Sequence, residues 1–570
     1  LHDFPEMKQK KNVLYFDDLL VQAQNALLSG GGEKLAGILR DKYHAVLVDE
    51  FQDTDPLQYA ILQSIFLPGK TRSDNAVFYI GDPKQAIYSF RGADIFAYLR
   101  ASKNVDRKYS MQENWRSEPA LVNAINVLFT ASARPFVYDE IAYSRIKAAE
   151  DAQIERLHVQ DENNCALQWW FLPGGDDNKP LGVADARDLI TRAVVAEIAR
   201  LLELSRQEKV RIGDRPLQEN DIAVLVRKNA EAITFQKELT KIGIPSVLLS
   251  AESVFISEEA EELKRFLLGV MHHENEGYLL AALATSFFGL VAEDLAECHE
   301  NEVSLADRRT RFQQYHDLWR QHGFLTMFYV FLDKESVRQR IMQFPGGERK
   351  LTNYLHLAQQ LHLASKQENL NFPEILRWLE ERRVRADMAA DEEQLRLETD
   401  KNCVRIVTIH KSKGLEYPVV FCPFGWETGK KNNSAMPLFF HDEKNDWQLT
   451  ADLGSEGIAD NREQYAREIL AENCRLLYVA LTRAKNRCYF VWGKIKNSAD
   501  SAVAYLFHRQ SLSPAGTGDS ETNDEMLEQI GMLVDQVPAD IQLNKIGEAP
   551  PVKARTKKEE AENLEFQEFK

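Results

Sequence analysis

The chain has 570 residues, with 70 Lys+Arg against 87 Asp+Glu and a net charge of −17. Hydrophobic residues are 44% and charged residues 28%, so it can bury real cores and is not a disordered polymer. The acidic balance excludes a uniformly basic coating protein but not a nucleic-acid groove, which needs only local positive charge.

The length allows roughly three or four domains. Cys165, Cys298, Cys403, Cys422, Cys474 and Cys488 are scattered without a C-x-x-C pair. That argues against a zinc ribbon or disulfide framework and for a reducing cytoplasm. No apolar run approaches the roughly 18–20 residues of a membrane span. The start, LHDFPEMKQKK, has no signal-peptide core, and residue 1 is Leu. Either processing or a cut from a longer chain accounts for that.

In chain order, HAVLVDE (44–50), AVFYIGD (76–82) and DIAVLVRKN (221–229) are apolar runs ending in polar residues. Alternating with helices, they read as buried parallel strands. Residues 258–395 read as helical. Ser257 is placed to cap SEEAEELKRFLLGVM, and FPEILRWLEERR puts Pro373 early with Ile375, Leu376 and Leu379 on one face. Strand texture returns from 396 to 493 in CVRIVTIH, YPVVFCPF and NRCYFVWG. The expected architecture is an α/β domain with an inserted all-helical domain, without internal repeats. The tail, 501–570, reads as a partly ordered linker.

Five segments carry candidate chemistry. VLVDEFQDTDPLQ (46–58) ends a strand in two carboxylates. In a nucleotide hydrolase, the first such acid holds Mg²⁺ and the second orients the attacking water. Asp49 and Glu50 fit, with plain surface acids as the alternative. IGDPKQAIYSFRGADIFAYL (80–99) follows a strand end with Gln85, then Tyr88, Phe90 and Arg91. Aromatics beside an Arg make a platform for single-stranded bases, or else pack a core. QENWRSEPALVNAINVLF (112–129) sets Trp115 and Arg116 before a helix with Ser117 as its expected N-cap and Pro119 in its first turn. Such an Arg can reach a γ-phosphate. VRIVTIHKSKGLEYPVVF (404–421) holds Lys411, Lys413 and Gly414 between two strands. RLLYVALTRAKNRCYF (475–490) puts Arg483 between a helix and a strand.

The ordered set DEFQDTD, GDPKQAIYSFRGAD, NWRS, TIHKSKGLEYP and YVALTRAK resembles the UvrD-like branch of superfamily 1 DNA helicases. More closely, with DEFQDTDPLQY, GDPKQAIYSFRGADIFAY and YFDDLL (15–20), it resembles the RecB family, the β subunits of exodeoxyribonuclease V. The resemblance implies two RecA-like parallel-sheet lobes of P-loop NTPase type. Their expected extents are 1–112 for the C-terminal part of the first lobe, 113–257 and 396–500 for the second, 258–395 for the helical insertion, and 501–570 for a linker toward an absent nuclease domain. It implies ATP and Mg²⁺ as cofactors, DNA with RecC and RecD subunits as partners, no membrane, and unwinding from duplex ends for repair with 3′→5′ travel.

Roles follow by position. Asp49 becomes the Mg²⁺ acid, Glu50 the catalytic acid and Gln85 a γ-phosphate sensor. Arg116 and Arg483 reach the γ-phosphate. Trp115 stands where the family commonly stacks Tyr on adenine, and Glu416 approaches the ribose. Tyr88 and Phe90 stack on bases, with Arg91, Thr408 and His410 along the DNA. Positive charge is expected in a channel with Arg91, Lys411 and Lys413.

The family also needs a G-x-x-x-x-G-K-[ST] loop. Gly69-Lys70-Thr71 is preceded five positions before the glycine by Ser64, and SGGGEKLAG (29–37) lacks the lysine ending, so both read as decoys. With no clustered nuclease acids after Arg487, the sequence is expected to be an internal fragment, inactive alone. The alternatives are an AddA-like or other UvrD-like helicase, distinguished by the loop 429–435 and the insertion, and a non-catalytic DNA-binding or partner-docking module.

Overall fold

The computed structural model describes residues 7–8, 14–66, 75–150, 154–175, 178–249, 254–344, 347–368, 370–384, 402–428, 436–507 and 521–547. Gly69-Lys70-Thr71 and the loop 429–435 lie outside the described residues. Two compact units emerge: Leu1–Leu248 with Asn402–Lys570, and Leu249–Lys401. Of the segments expected as two motor lobes, 1–248 and 402–500 fall in the first unit, and 249–257 and 396–401 in the second.

The first unit includes helices Phe16–Leu28, which Tyr15 of the YFDDLL segment precedes as N-cap, and Gly32–Lys42. Strands β1 (Ala45–Val48) and β2 (Ala76–Tyr79) pair in parallel, Ala45 opposite Ala76. Phe51, just past β1, is 1% exposed. It stacks on Tyr79 at 4.1 Å between ring centroids, with Tyr59 and Tyr98 packed alongside. This aromatic cluster fixes the turn that presents Asp49 and Glu50.

The larger sheet is built from β3 (Leu167–Leu172), β4 (Ile222–Val226), β5 (Ser246–Leu249), β6 (Val404–Thr408) and β7 (Tyr417–Cys422). A hairpin of β8 (Leu438–Asp442) and β9 (Gln448–Asp452) stands apart, and β10 (Ala484–Gly493) and β11 (Ile541–Lys545) complete the sheet. Its order is β5-β6-β4-β7-β10-β3-β11. The pairings β6–β4, β4–β7, β7–β10, β10–β3 and β3–β11 are parallel. Every residue of β4 is buried, as a continuous Ile-Ala-Val-Leu-Val run in a covered parallel sheet should be.

Three expectations are corrected here. Strands β1 and β2, expected to be buried, alternate exposed and half-buried residues, with Leu47 and Phe78 on the exposed positions. Ser117 is not the N-cap of helix Pro119–Thr130; Glu118 occupies that position. The Ser117 hydroxyl instead donates to the Ala484 carbonyl at 2.8 Å. Residues 521–547, expected as linker, form helix Asn523–Val534 and strand β11, with Ile541 opposite Leu167. Thr522 and Glu525 make a capping box, and Met526, Ile530 and Ile541 are buried. The polar flanks on either side outweighed this short helical spacing.

The second unit is helical and has its own core. Val254 and Phe255 are 0% exposed, so this unit begins before the expected residue 258. Ser257 caps helix Glu258–Met271, its hydroxyl accepting from the Ala260 N–H at 3.2 Å. Phe266 stacks on Phe331 at 4.0 Å, and Phe287, Phe312 and Tyr354 pack around them. Ile375, Leu376 and Leu379 of helix Phe372–Val384 join this core. Among the described residues, no helix is long and apolar enough to cross a membrane.

Candidate functional site

β1 delivers Asp49 and Glu50 to an exposed edge. Glu50 has φ +49°, a left-handed backbone that costs a non-glycine residue energy and is held here by its surroundings. Its N–H donates to Asp49 Oδ1 at 2.9 Å. Next to it, Gln52 is 1% exposed. The Gln52 Oε1 accepts from the Asp82 N–H at 2.9 Å, and its Nε2 donates to the Glu50 carboxylate. A Cβ on Gly81 would lie 2.3 Å from that Oε1, which explains the glycine. Lys413 crosses to these acids, with Nζ 3.4 Å from Glu50 Oε2 and an ion pair to Asp53. Burial raises the Asp53 carboxyl pKa despite that lysine.

The second acidic strand end organises the next loop. Asp82 caps the short turn Pro83–Gln85 and pairs with Lys84 at 2.7 Å. Gln85 Nε2 donates to Asp82 Oδ2 at 3.0 Å. Tyr88 is half-buried: its hydroxyl donates to the His410 carbonyl at 2.9 Å, and Lys413 and Arg91 lie 5.1 and 5.7 Å from its ring. Phe90 is 66% exposed, edge-on to the His410 ring at 5.1 Å. Burial pushes the His410 imidazole pKa down, opposed by the Glu472 charge. Thr408, the last residue of β6, is half-buried. So Tyr88 and His410 form the base of a platform whose open face is Phe90.

A third group gathers at Arg116. Asn114 Oδ1 accepts from the N–H groups of Arg116 and Ser117 at 2.8 and 2.9 Å, a local turn that aims both residues. Arg116 Nε donates to Glu416 Oε2 at 2.9 Å, and Lys485 sits 3.1 Å from Glu416 Oε1. Against the partial burial that would raise it, Lys485 and Arg116 hold the Glu416 carboxyl below its ordinary range. Trp115 beside them is 61% exposed. Arg483 is 1% exposed and donates to the carbonyls of Val479 and Leu415 at 2.9 and 3.3 Å. Burial first, then the Arg116 charge, bring its pKa down to about 10, with Glu50 and Glu416 opposing. Glu118 ties this region to the sheet, accepting from Leu157 N–H at 3.0 Å and Asn486 Nδ2 at 2.6 Å.

The structure gathers the candidate residues of the sequence reading into three groups and sets beside them partners that reading did not single out: Gln52, Asp53, Asp82, Asn114 and Lys485. Each lies within or beside a quoted segment. Only the folded chain shows which polar neighbour holds which functional group. Among the described residues, no cluster of three or more His, Cys, Asp or Glu has metal-site geometry.

The UvrD/REP helicase N-terminal domain matches residues 1–106, and the UvrD-like helicase C-terminal domain matches 288–494. RecBCD enzyme subunit RecB of Escherichia coli (strain K12) is 37% identical over 486 residues, 84% of this chain and 40% of that protein. RecB of Haemophilus influenzae (strain ATCC 51907 / DSM 11121 / KW20 / Rd) is 33% identical over 542 residues, 93% of this chain and 42% of that protein. RecB of Mycobacterium tuberculosis (strain ATCC 25618 / H37Rv) is 30% identical over 517 residues, 89% and 45% respectively. The chain spans about two fifths of the length of these curated relatives. With both helicase domains matched and RecB subunits similar over most of its length, the chain belongs to the UvrD-like helicase family.

Proposed function

We propose that this chain is the motor part of a RecB-type subunit of exodeoxyribonuclease V. The whole subunit uses ATP to move 3′→5′ along one DNA strand from a duplex end, in the cytoplasm, together with RecC-type and RecD-type subunits. The observation that carries the reading is convergence. Two exposed carboxylates on one strand end, two arginines whose charges act on each other, and an aromatic platform occur within one compact unit.

Each residue then has a task. Asp49, an exposed carboxylate, fits Mg²⁺, which takes one or two protein carboxylates plus substrate phosphates rather than a closed cage. Bound there, the metal would neutralise phosphate charge. Glu50 orients and deprotonates the attacking water. Gln85 reports the γ-phosphate to the loop that follows it. Arg116 and Arg483 stabilise charge that builds on the phosphoryl oxygens. Trp115 stacks on the adenine, and Glu416 meets the ribose while restraining Arg116 between turnovers. Phe90, supported by Tyr88 and His410 and flanked by Arg91 and Thr408, grips bases without reading sequence.

The test is ATP hydrolysis by the natively purified protein with its accompanying subunits, with and without single-stranded DNA, beside Glu50→Gln. The expected result is DNA-stimulated turnover in the wild type and a loss of about 10²–10⁴-fold in the variant, with DNA affinity retained. Binding without any turnover in the wild type would leave a docking module in place of a motor.

A further inference from the structure

The helix Ile458–Leu481 ends two residues before Arg483. One stripe of this helix meets the loop that carries Tyr88 and Phe90. The Glu472 carboxylate accepts from the Ser89 hydroxyl. Arg475 Nε donates to the Ala86 carbonyl at 2.7 Å. The Tyr478 ring lies 5.9 Å from Lys84 Nζ. Positions 472, 475 and 478 are spaced by three, so they share a helix face. From Arg475 to the helix end at Leu481 is about 9 Å of rise, and Thr482 joins that end to Arg483.

Arg475 is 4% exposed, and its Nη1 has no hydrogen-bond partner. Both Arg475 and Glu472 line a cavity of about 150 Å³ beside Tyr88, Asp94 and Glu468. A buried guanidinium with an unfilled donor is costly. Glu472, one turn earlier on the same helix, is spaced to fill that donor. It is now engaged with Ser89 instead.

We infer that Glu472 and Arg475 are positioning residues that carry the state of the DNA-stacking loop to Arg483. With the loop as seen here, Glu472 is bonded to Ser89 and Arg475 to Ala86. When DNA stacks on Phe90 and draws the loop with it, Ser89 leaves, Glu472 turns to Arg475 Nη1, and the helix shifts against the loop. A bond from a neutral hydroxyl to the carboxylate is exchanged for one from a guanidinium, and the motion reaches Arg483 through the helix and its C-cap. This inference rests on the proposed motor function and adds the link between its two sites.

The experiment compares wild type, Glu472→Gln, Ser89→Ala and the double variant, in the natively purified protein with its accompanying subunits. ATP hydrolysis is measured with and without oligo(dT), and oligo(dT) affinity by fluorescence anisotropy. Ser89 is exposed, so Ser89→Ala tests the same contact without threatening the fold. Glu472→Gln should keep DNA-free hydrolysis and DNA affinity within about twofold while losing about tenfold of the DNA stimulation. The double variant should be no worse than Glu472→Gln, because both remove one link. Normal stimulation in both single variants overturns the link. So does an equal loss of DNA-free hydrolysis, which would make the role purely structural. A wild type that DNA does not stimulate overturns the motor reading itself, and the link with it.

Discussion

Phe90 and Tyr88 have the same chemistry in the sequence and different situations in the fold. Phe90 is open to solvent, whereas Tyr88 spends its hydroxyl on His410 and its face on two cations. Phe90→Ala should therefore weaken oligo(dT) binding by about 1–3 kcal/mol, the value of one stacked base, and leave the unfolding midpoint unchanged. Titration by anisotropy alongside a melting curve separates the two effects, and wild-type affinity in the variant would remove Phe90 from the DNA path. His410 makes a pH prediction. Burial lowers its pKa in the folded state, so below about pH 6.5 the unfolded chain takes up a proton that the folded chain resists. Stability contributed at this position is present above that pH and lost as pH falls toward the folded value. Denaturant midpoints at pH 7.5 and pH 5.5 should differ less for His410→Gln than for the wild type.

At the scale of elements, β11 is the sharpest lesson. Ile541 is 1% exposed at the sheet edge, so Ile541→Ala should destabilise the sheet unit by about 2–5 kcal/mol, read as a lower urea midpoint; a linker residue would show no change. The strands β4, β6, β7 and β10 were legible because buried parallel strands are written as unbroken apolar runs; β1 and β2 carry the same kind of run and pair in parallel, yet no residue of either is buried. The insertion was legible because caps and apolar spacing repeat through it. β11 was not, because IQLNK is short, half polar and set between unstructured-looking flanks. At the site, the residue types and their order announced acids, aromatics and arginines. What stayed hidden was pairing: that Arg116 rests on Glu416, that Lys413 lies against Asp53 and Glu50, and that Arg483 is buried. Such pairings span up to several hundred residues of chain, and no local pattern encodes them.

At the scale of the molecule, the helical unit and the sheet unit each have their own buried core. A core substitution in one should then leave the other's unfolding untouched. Phe331→Ala, in the Phe266 stack, should cost the helical unit about 3–5 kcal/mol. Calorimetry should show one transition moving down and the other staying in place, and a single shared shift would argue for one cooperative unit.

The strand order has a consequence for biosynthesis. β3 is translated early and lies between β10 and β11, both translated hundreds of residues later. On the ribosome, the nascent sheet therefore waits with β3 unpaired on both sides, while the helical segment between β5 and β6 can already collapse on its local contacts. Through that interval the exposed strand edges are a liability, and chaperone demand should fall only once residue 545 has left the exit tunnel.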